Sequence, residues 1–149
     1  MKLIKLVYIA YGWNLAINEE RLFEEKIEAW KYGPVIPSIY REYKRFGSNQ
    51  IPKDRFIAEI DLDTGKVSSV PIVDDSDQET KQLLDLQWDC YNNKTGVDLS
   101  KITHETGSAW DIAWKKGENT ILDDKDIKRR SAEAVDKFMT KVEESLPKN

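Results

Sequence analysis

The chain offers one histidine, one cysteine and a scatter of carboxylates as raw material for chemistry. His104 stands between Thr103 and Glu105, with Asp111 nearby, an order that could supply a base and its orienter. No activated serine or cysteine is evident beside it, so a nucleophile is missing. A zinc site needs three or four closely spaced Cys, His or carboxylate ligands, and His104 with a distant Cys90 does not provide them. Asp74, Asp75 and Asp77 lack the glycine and distal glutamate of a calcium loop. The seven glycines occur singly, so there is no phosphate-cradling loop. These residues predict a protein that is not an enzyme, with no catalytic, metal or cofactor-binding residue. His104 is expected to be a hydrogen-bonding group at a helix end. A small hydrolase working through His104 is the alternative.

The aromatics are the stronger signal. Trp30, Tyr32, Trp110 and Trp114 all lie beside turns or caps. Rings of this size fill cores, burying about 150–250 Å² each. They are also the residues that dominate protein-binding hot spots. Trp30 to Pro34 reads as a structural corner, because Gly33-Pro34 is a turn signal flanked by aromatics.

The elements that must carry these residues are mostly helical. Leu3, Leu6, Val7 and Ala10 form one stripe and Ile4, Tyr8, Tyr11 and Leu15 another, so the chain opens with a core helix to about Ile17. Tyr32 to Pro37 is expected as an ordered, non-helical crossing. Pro37 suits a first helical position, with Ile39, Tyr40, Tyr43 and Phe46 at helical spacing and Gly47 as the cap. Residues 56–73 change to a period of two and read as the one β-hairpin, with Gly65 left-handed in the turn and Pro71 marking an edge. Ser76-x-x-Glu79 is a capping box opening a helix that presents Leu83, Leu84, Trp88 and Tyr91. Asp98–Glu105 is a short helix stopped by Gly107, and Ser108-x-x-Asp111 caps another stopped by Gly117. A long helix runs from Asp123 to Pro147. The fold class is therefore α+β, a mainly α-helical single domain over residues 1–149.

Composition agrees. The chain has 149 residues, close to the roughly 150 of one domain. Its 15 aromatics argue against disorder. Net charge is −4, against the basic surplus of a nucleic-acid binder, so a prophage DNA-binding regulator is disfavoured. Charge is polarised: Glu28–Arg55 holds six basic and three acidic residues, and Glu59–Asp85 two basic and eight acidic. A single cysteine fits a reducing cytosol, and Cys90 is expected to be buried and inert. No apolar run reaches the roughly 20 residues of a membrane span. The expected location is the cytoplasm.

Three blocks of residues add a resemblance. Lys2 to Ala16 has the form KLxKLxYxAxxWxLA, Glu28 to Lys44 the form EAWxxGPVxPxxYxxxK, and Leu99 to Trp110 the form LSxxTHxxxxxW. Together they resemble the SocA-like, or Panacea, antitoxin domain family, also described as phage-associated. The resemblance implies a toxin–antitoxin module whose antitoxin binds a cognate toxin directly. It also raises an adaptor role towards an AAA+ protease. The motif residues Trp30, Tyr32, Gly33, Pro34, Tyr40, Thr103, His104 and Trp110 become candidates for partner binding. Two departures stand out: Ala109 replaces a proline common in the family, and Met1 abuts the first helix where members commonly have a leading segment. An apolar strip on that helix is therefore expected to be covered from outside, by a second copy in a homodimer or by the toxin.

Overall fold

The structure is a computed structural model and describes residues 1–52, 59–69 and 73–145. Helix α1 (Lys2–Ile17) is the axis of the molecule. Around it lie a hairpin of β1 (Glu28–Trp30) and β2 (Gly33–Val35), and α2 (Pro37–Tyr43) with a 3₁₀ turn to Phe46. A second hairpin of β3 (Glu59–Ile60) and β4 (Val67–Ser69) follows, then α3 (Gln78–Tyr91), α4 (Gly96–Thr103), α5 (Ala109–Lys116) and α6 (Asp124–Ser145). The mainly helical α+β class expected from the sequence is the one observed.

Helix α1 packs against α6, α4, α3 and β2, which explains its lack of a polar face. Trp13 is 1% exposed and touches the rings of Tyr91 and Phe138 at centroid distances of 5.9 and 5.7 Å. Residues Tyr8 to Leu15 are buried, while Leu3, Ile4, Leu6 and Val7 are half-buried. The chain itself thus covers the C-terminal half of the helix. Asn14 and Asn18 close its end, Asn14 donating to the Glu20 carbonyl at 2.8 Å and accepting from Asn18 at 2.9 Å. At Gly12 the absent side chain lets α6 approach. A Cβ there would overlap Ser131 Oγ and stand 3.3 Å from Ile127 Cγ2.

Several expectations are refined by hydrogen bonding. The crossing at Tyr32–Pro37 includes β2, and residues 28–35 form a hairpin additional to the expected one. Trp30 pairs with Gly33 across the two-residue loop Lys31-Tyr32. The segment 119–122 docks on the other edge of β1, through Ala29 to Thr120 and Leu122 to Ile27 backbone bonds of 2.8 and 2.9 Å. In the later hairpin Gly65 is left-handed at φ +67°, as expected. Leu62 was expected on an alternating strand but sits in the turn, 95% exposed. The expected parts of that hairpin at 53–58 and 70–72, including Pro71, and the helix stop at Pro147 lie outside the described residues.

Ser76 does not cap α3. The Asp74 carboxylate takes its N–H and O–H at 2.8 and 2.6 Å, leaving Asp77 to cap by accepting from Thr80 N at 3.0 Å. On the same helix Trp88 is 51% exposed rather than on the buried face. Gln87 replaces it, donating to the Leu6 carbonyl. Helix α4 starts earlier than Asp98, because Thr95 and Asp98 form a complete capping box. Ser108 caps α5 as expected, accepting from Asp111 N at 3.1 Å. Cys90 is partly buried, and burial pushes its thiol up from its ordinary pKa.

Replacing Gly12 by valine should cost about 1–3 kcal/mol, because a branched side chain would force α1 and α6 apart. A thermal melt of Gly12→Val that matches the wild type would show that the crossing yields without cost.

Candidate functional site, a corner where three sequence blocks meet

Lys5 comes from the first block, Gly33 and Pro34 from the second, Thr103 and His104 from the third. The fold brings them to one corner. Lys5 is only 2% exposed, on a helix whose other buried side chains are mostly apolar. Its Nζ donates to the Pro34 carbonyl at 2.9 Å. Burial away from water disfavours the ammonium and pulls its pKa from 10.5 down to about 8.

Gly33 makes this approach feasible. Its φ of +104° is costly for a residue with a side chain. A Cβ would also stand 2.8 Å from His104 Cε1 and closer still to Lys5 Nζ. Pro34 has no N–H to leave unpaired, which suits β2, a strand bonded to β1 alone.

His104 is the C-cap of α4. Its Nδ1–H donates to the Ser100 carbonyl at 2.5 Å, and Nε2 lies 3.4 Å from the Lys31 carbonyl. The ring lies 4.0 Å from that of Trp110, centroid to centroid. Ser100 Oγ is 3.3 Å from Nδ1 and donates to the Tyr32 carbonyl. Ser100 thus ties α4 to the hairpin loop, while His104 is held within α4 by the Ser100 carbonyl. A general base would have to accept the hydroxyl proton, and Nδ1 is already a donor. Thr103 is buried; its hydroxyl bonds the Ser100 carbonyl and its own carbonyl accepts from Ser108.

The indoles complete the corner. Trp110 is 9% exposed, stacks on Trp114 and donates from Nε1 to the Trp30 carbonyl at 2.8 Å. Ala109 is the first residue of α5, a position that also accepts proline. Trp30 is half-buried, bonded to Glu28 and edge-on to Tyr40 at 4.9 Å. Tyr32 is 65% exposed at the hairpin tip, with Lys31 Nζ over its ring. All eight candidates therefore join one connected corner, of which Tyr32 and Tyr40 reach the surface. Lys5 and Ser100 belong to it and were not singled out from the sequence. The available signal for Lys5 was a charge on a helix whose whole circumference is apolar.

Among the described residues no group of three or more His, Cys, Asp or Glu could hold a metal, and no helix is long and apolar enough to cross a membrane. The molecule is a helical α+β domain whose three sequence blocks brace an aromatic hairpin tip. Residues 3–111 match the family model of the antitoxin SocA-like Panacea domain, and the chain belongs to that family. Antitoxin SocA of Caulobacter vibrioides (strain NA1000 / CB15N) is 27% identical over 112 residues, which cover 75% of this chain and 57% of that protein. The chain thus spans little more than half the length of that curated relative. No solved structure matches it.

Gly33→Ala should lower stability by about 1–3 kcal/mol from backbone strain, with the crowding of Lys5 and His104 adding to it. Wild-type thermal stability would survive this change only if the hairpin could re-form elsewhere. Lys5 also predicts a pH effect. Between about pH 8 and 10.5 the folded chain has lost a proton that the unfolded chain keeps, so stability rises with pH through this group. Tyr11 and Tyr91, pushed up to about 12 chiefly by burial, act in the opposite sense above pH 10. Measuring wild type against Lys5→Met cancels the tyrosines. Their stability difference should move in favour of the wild type across that window, and a flat difference would overturn the buried ammonium.

Proposed function

We propose that this protein is the antitoxin of a toxin–antitoxin pair, acting in the cytoplasm and neutralising its toxin by direct, stoichiometric binding. Membership of the SocA-like family carries the reading. The corner adds to it. Tyr32 and Tyr40, with the half-buried Trp30 between them, offer the adaptable ring and hydroxyl surface that protein partners engage. Gly33, Pro34, His104 and Trp110 hold that surface in place, with Thr103 buried behind them. The Ser100–His104 geometry gives no support to hydrolysis, and the reading is of a protein that is not an enzyme. Delivery of the bound toxin to an AAA+ protease is the finer form of the same function. The half-buried strip of Leu3, Ile4, Leu6 and Val7 is the surface a second copy would use, and toxin binding does not depend on it.

The test is growth rescue, with this protein co-expressed with the product of the neighbouring gene. The wild type should restore growth. Tyr32→Ala should lose rescue while its stability stays within about 0.5 kcal/mol, as befits an exposed residue. Toxin that disappears only when the antitoxin is present would mark delivery to a protease, and constant toxin levels would mark masking. Failure of the wild type to rescue overturns the antitoxin reading; full rescue by Tyr32→Ala overturns the hairpin tip as the contact.

A further inference from the structure

A second feature lies on the far side of the last turn of α4. Thr103 lines a cleft of about 260 Å³ bounded by α1, α3, α4 and α6. Its floor is apolar and aromatic, with Tyr8, Trp13, Tyr91 and Phe138 among its residues. Its rim is charged and unevenly neutralised. Arg130 is tied to Glu105 and Glu133. Lys137 and Lys141 lie one turn apart on α6, both line the cleft, and neither has an ion pair among the described residues. Three cations against two carboxylates leave this rim positive on a chain whose net charge is −4.

We propose that this cleft is an anchor site for a protein partner. Its occupant is a segment carrying one bulky apolar side chain beside carboxylates. The volume falls below the roughly 300–1,000 Å³ of small-molecule pockets and suits a single anchoring side chain. The two unpaired ammoniums select acidic neighbours for that anchor, by charge complementarity. Thr103 and Ser100 lie one turn apart on α4, the first lining the cleft and the second bonded to the hairpin loop. A partner gripping the tip can therefore continue into the cleft. The identification of that partner as the toxin rests on the antitoxin reading above.

Anilinonaphthalene sulfonate, an aromatic system bearing one anion, probes the cleft without the toxin. The full chain is titrated with the dye as wild type, as Lys137→Glu/Lys141→Glu, as Lys137→Arg/Lys141→Arg and as Ala134→Trp, which fills the cleft. Circular dichroism melts confirm that each variant is folded, and the arginine pair serves as the conservative control. The dye should bind the wild type and the arginine pair alike, and bind the glutamate pair at least about tenfold more weakly. Equal binding by the wild type and the folded glutamate and tryptophan variants overturns the site. Purified toxin is then added to the dye complex. Displacement of the dye supports the toxin as occupant. A toxin complex formed with the dye still bound overturns the cleft as its anchor while sparing the antitoxin reading. A toxin that forms no complex with the wild type overturns that reading, and the toxin as occupant with it.

Discussion

Lys5 must find a partner for its ammonium inside a core of aliphatic and aromatic side chains, and it finds the carbonyl of Pro34 at 2.9 Å. A charge withdrawn from water without a hydrogen bond would cost several kcal/mol, so the tie cannot be given up cheaply. It fixes three things together. Helix α1 is held in rotation, because Lys5 has to face the hairpin. The hairpin is held in height, because Pro34 has to present its carbonyl to α1. Residue 33 has to be glycine, because the lysine and His104 occupy the space a side chain would need. The third block then closes over the pair, with the His104 ring bearing on Trp110 and Trp110 reaching back to the Trp30 carbonyl. Three stretches far apart in the chain are thereby required to be compatible with one another.

Around this tie the remaining elements are placed by local chemistry. Caps at Asp77, Thr95 and Ser108 set where α3, α4 and α5 begin. Left-handed residues at Gly107 and Asn119 turn the chain between helices. Tyr11 and Arg21 both bind Asp124, one to each carboxylate oxygen, which pins the first turn of α6 to α1 and the loop after it. Gly12 then sets the separation at the crossing. The cleft exists because α6 is held at that crossing while its later turns run on past the aromatic floor.

What was legible in the sequence follows from how local the cause is. Helix α1, the ends of α1 at Asn18 and of α5 at Gly117, and the left-handed Gly65 all depend on residues within a turn or two. They could be read directly, whereas α4 ends at Thr103, short of the expected Glu105. The β1–β2 hairpin could not, because strands of three residues show no alternation and Ala29 and Val35 are buried for reasons supplied by α1 and the 119–122 segment. Gln87 and Trp88 exchanged their expected places for a similar reason. Hydrophobicity favours burying the indole, but position 87 faces the Leu6 carbonyl of α1, to which Gln87 adds a second hydrogen bond. Ser76 lost the cap of α3 to a competition among Asp74, Ser76 and Asp77 that composition cannot rank. The candidate site was found as three separate blocks, and their meeting point was not. The residue that joins them is a lysine, a type that is read as solvent-exposed unless its partner is known.

The corner is made of residues buried against one another and residues exposed at its surface. Lys5, Gly33, Pro34, Thr103 and Trp110 are buried, and their chemistry is spent on each other. Tyr32 is exposed and held by its backbone, through the carbonyl that accepts from Ser100, with the Lys31 ammonium over its ring. A rigid base with an exposed ring keeps the ordering cost of association low, because little backbone has to be immobilised on binding. At the corner Lys5 Nζ, His104 Nδ1 and Ser100 Oγ each donate to a backbone carbonyl. Groups committed in this way hold a shape, and the shape they hold is a presented aromatic tip beside a cleft that is apolar within and cationic at its rim.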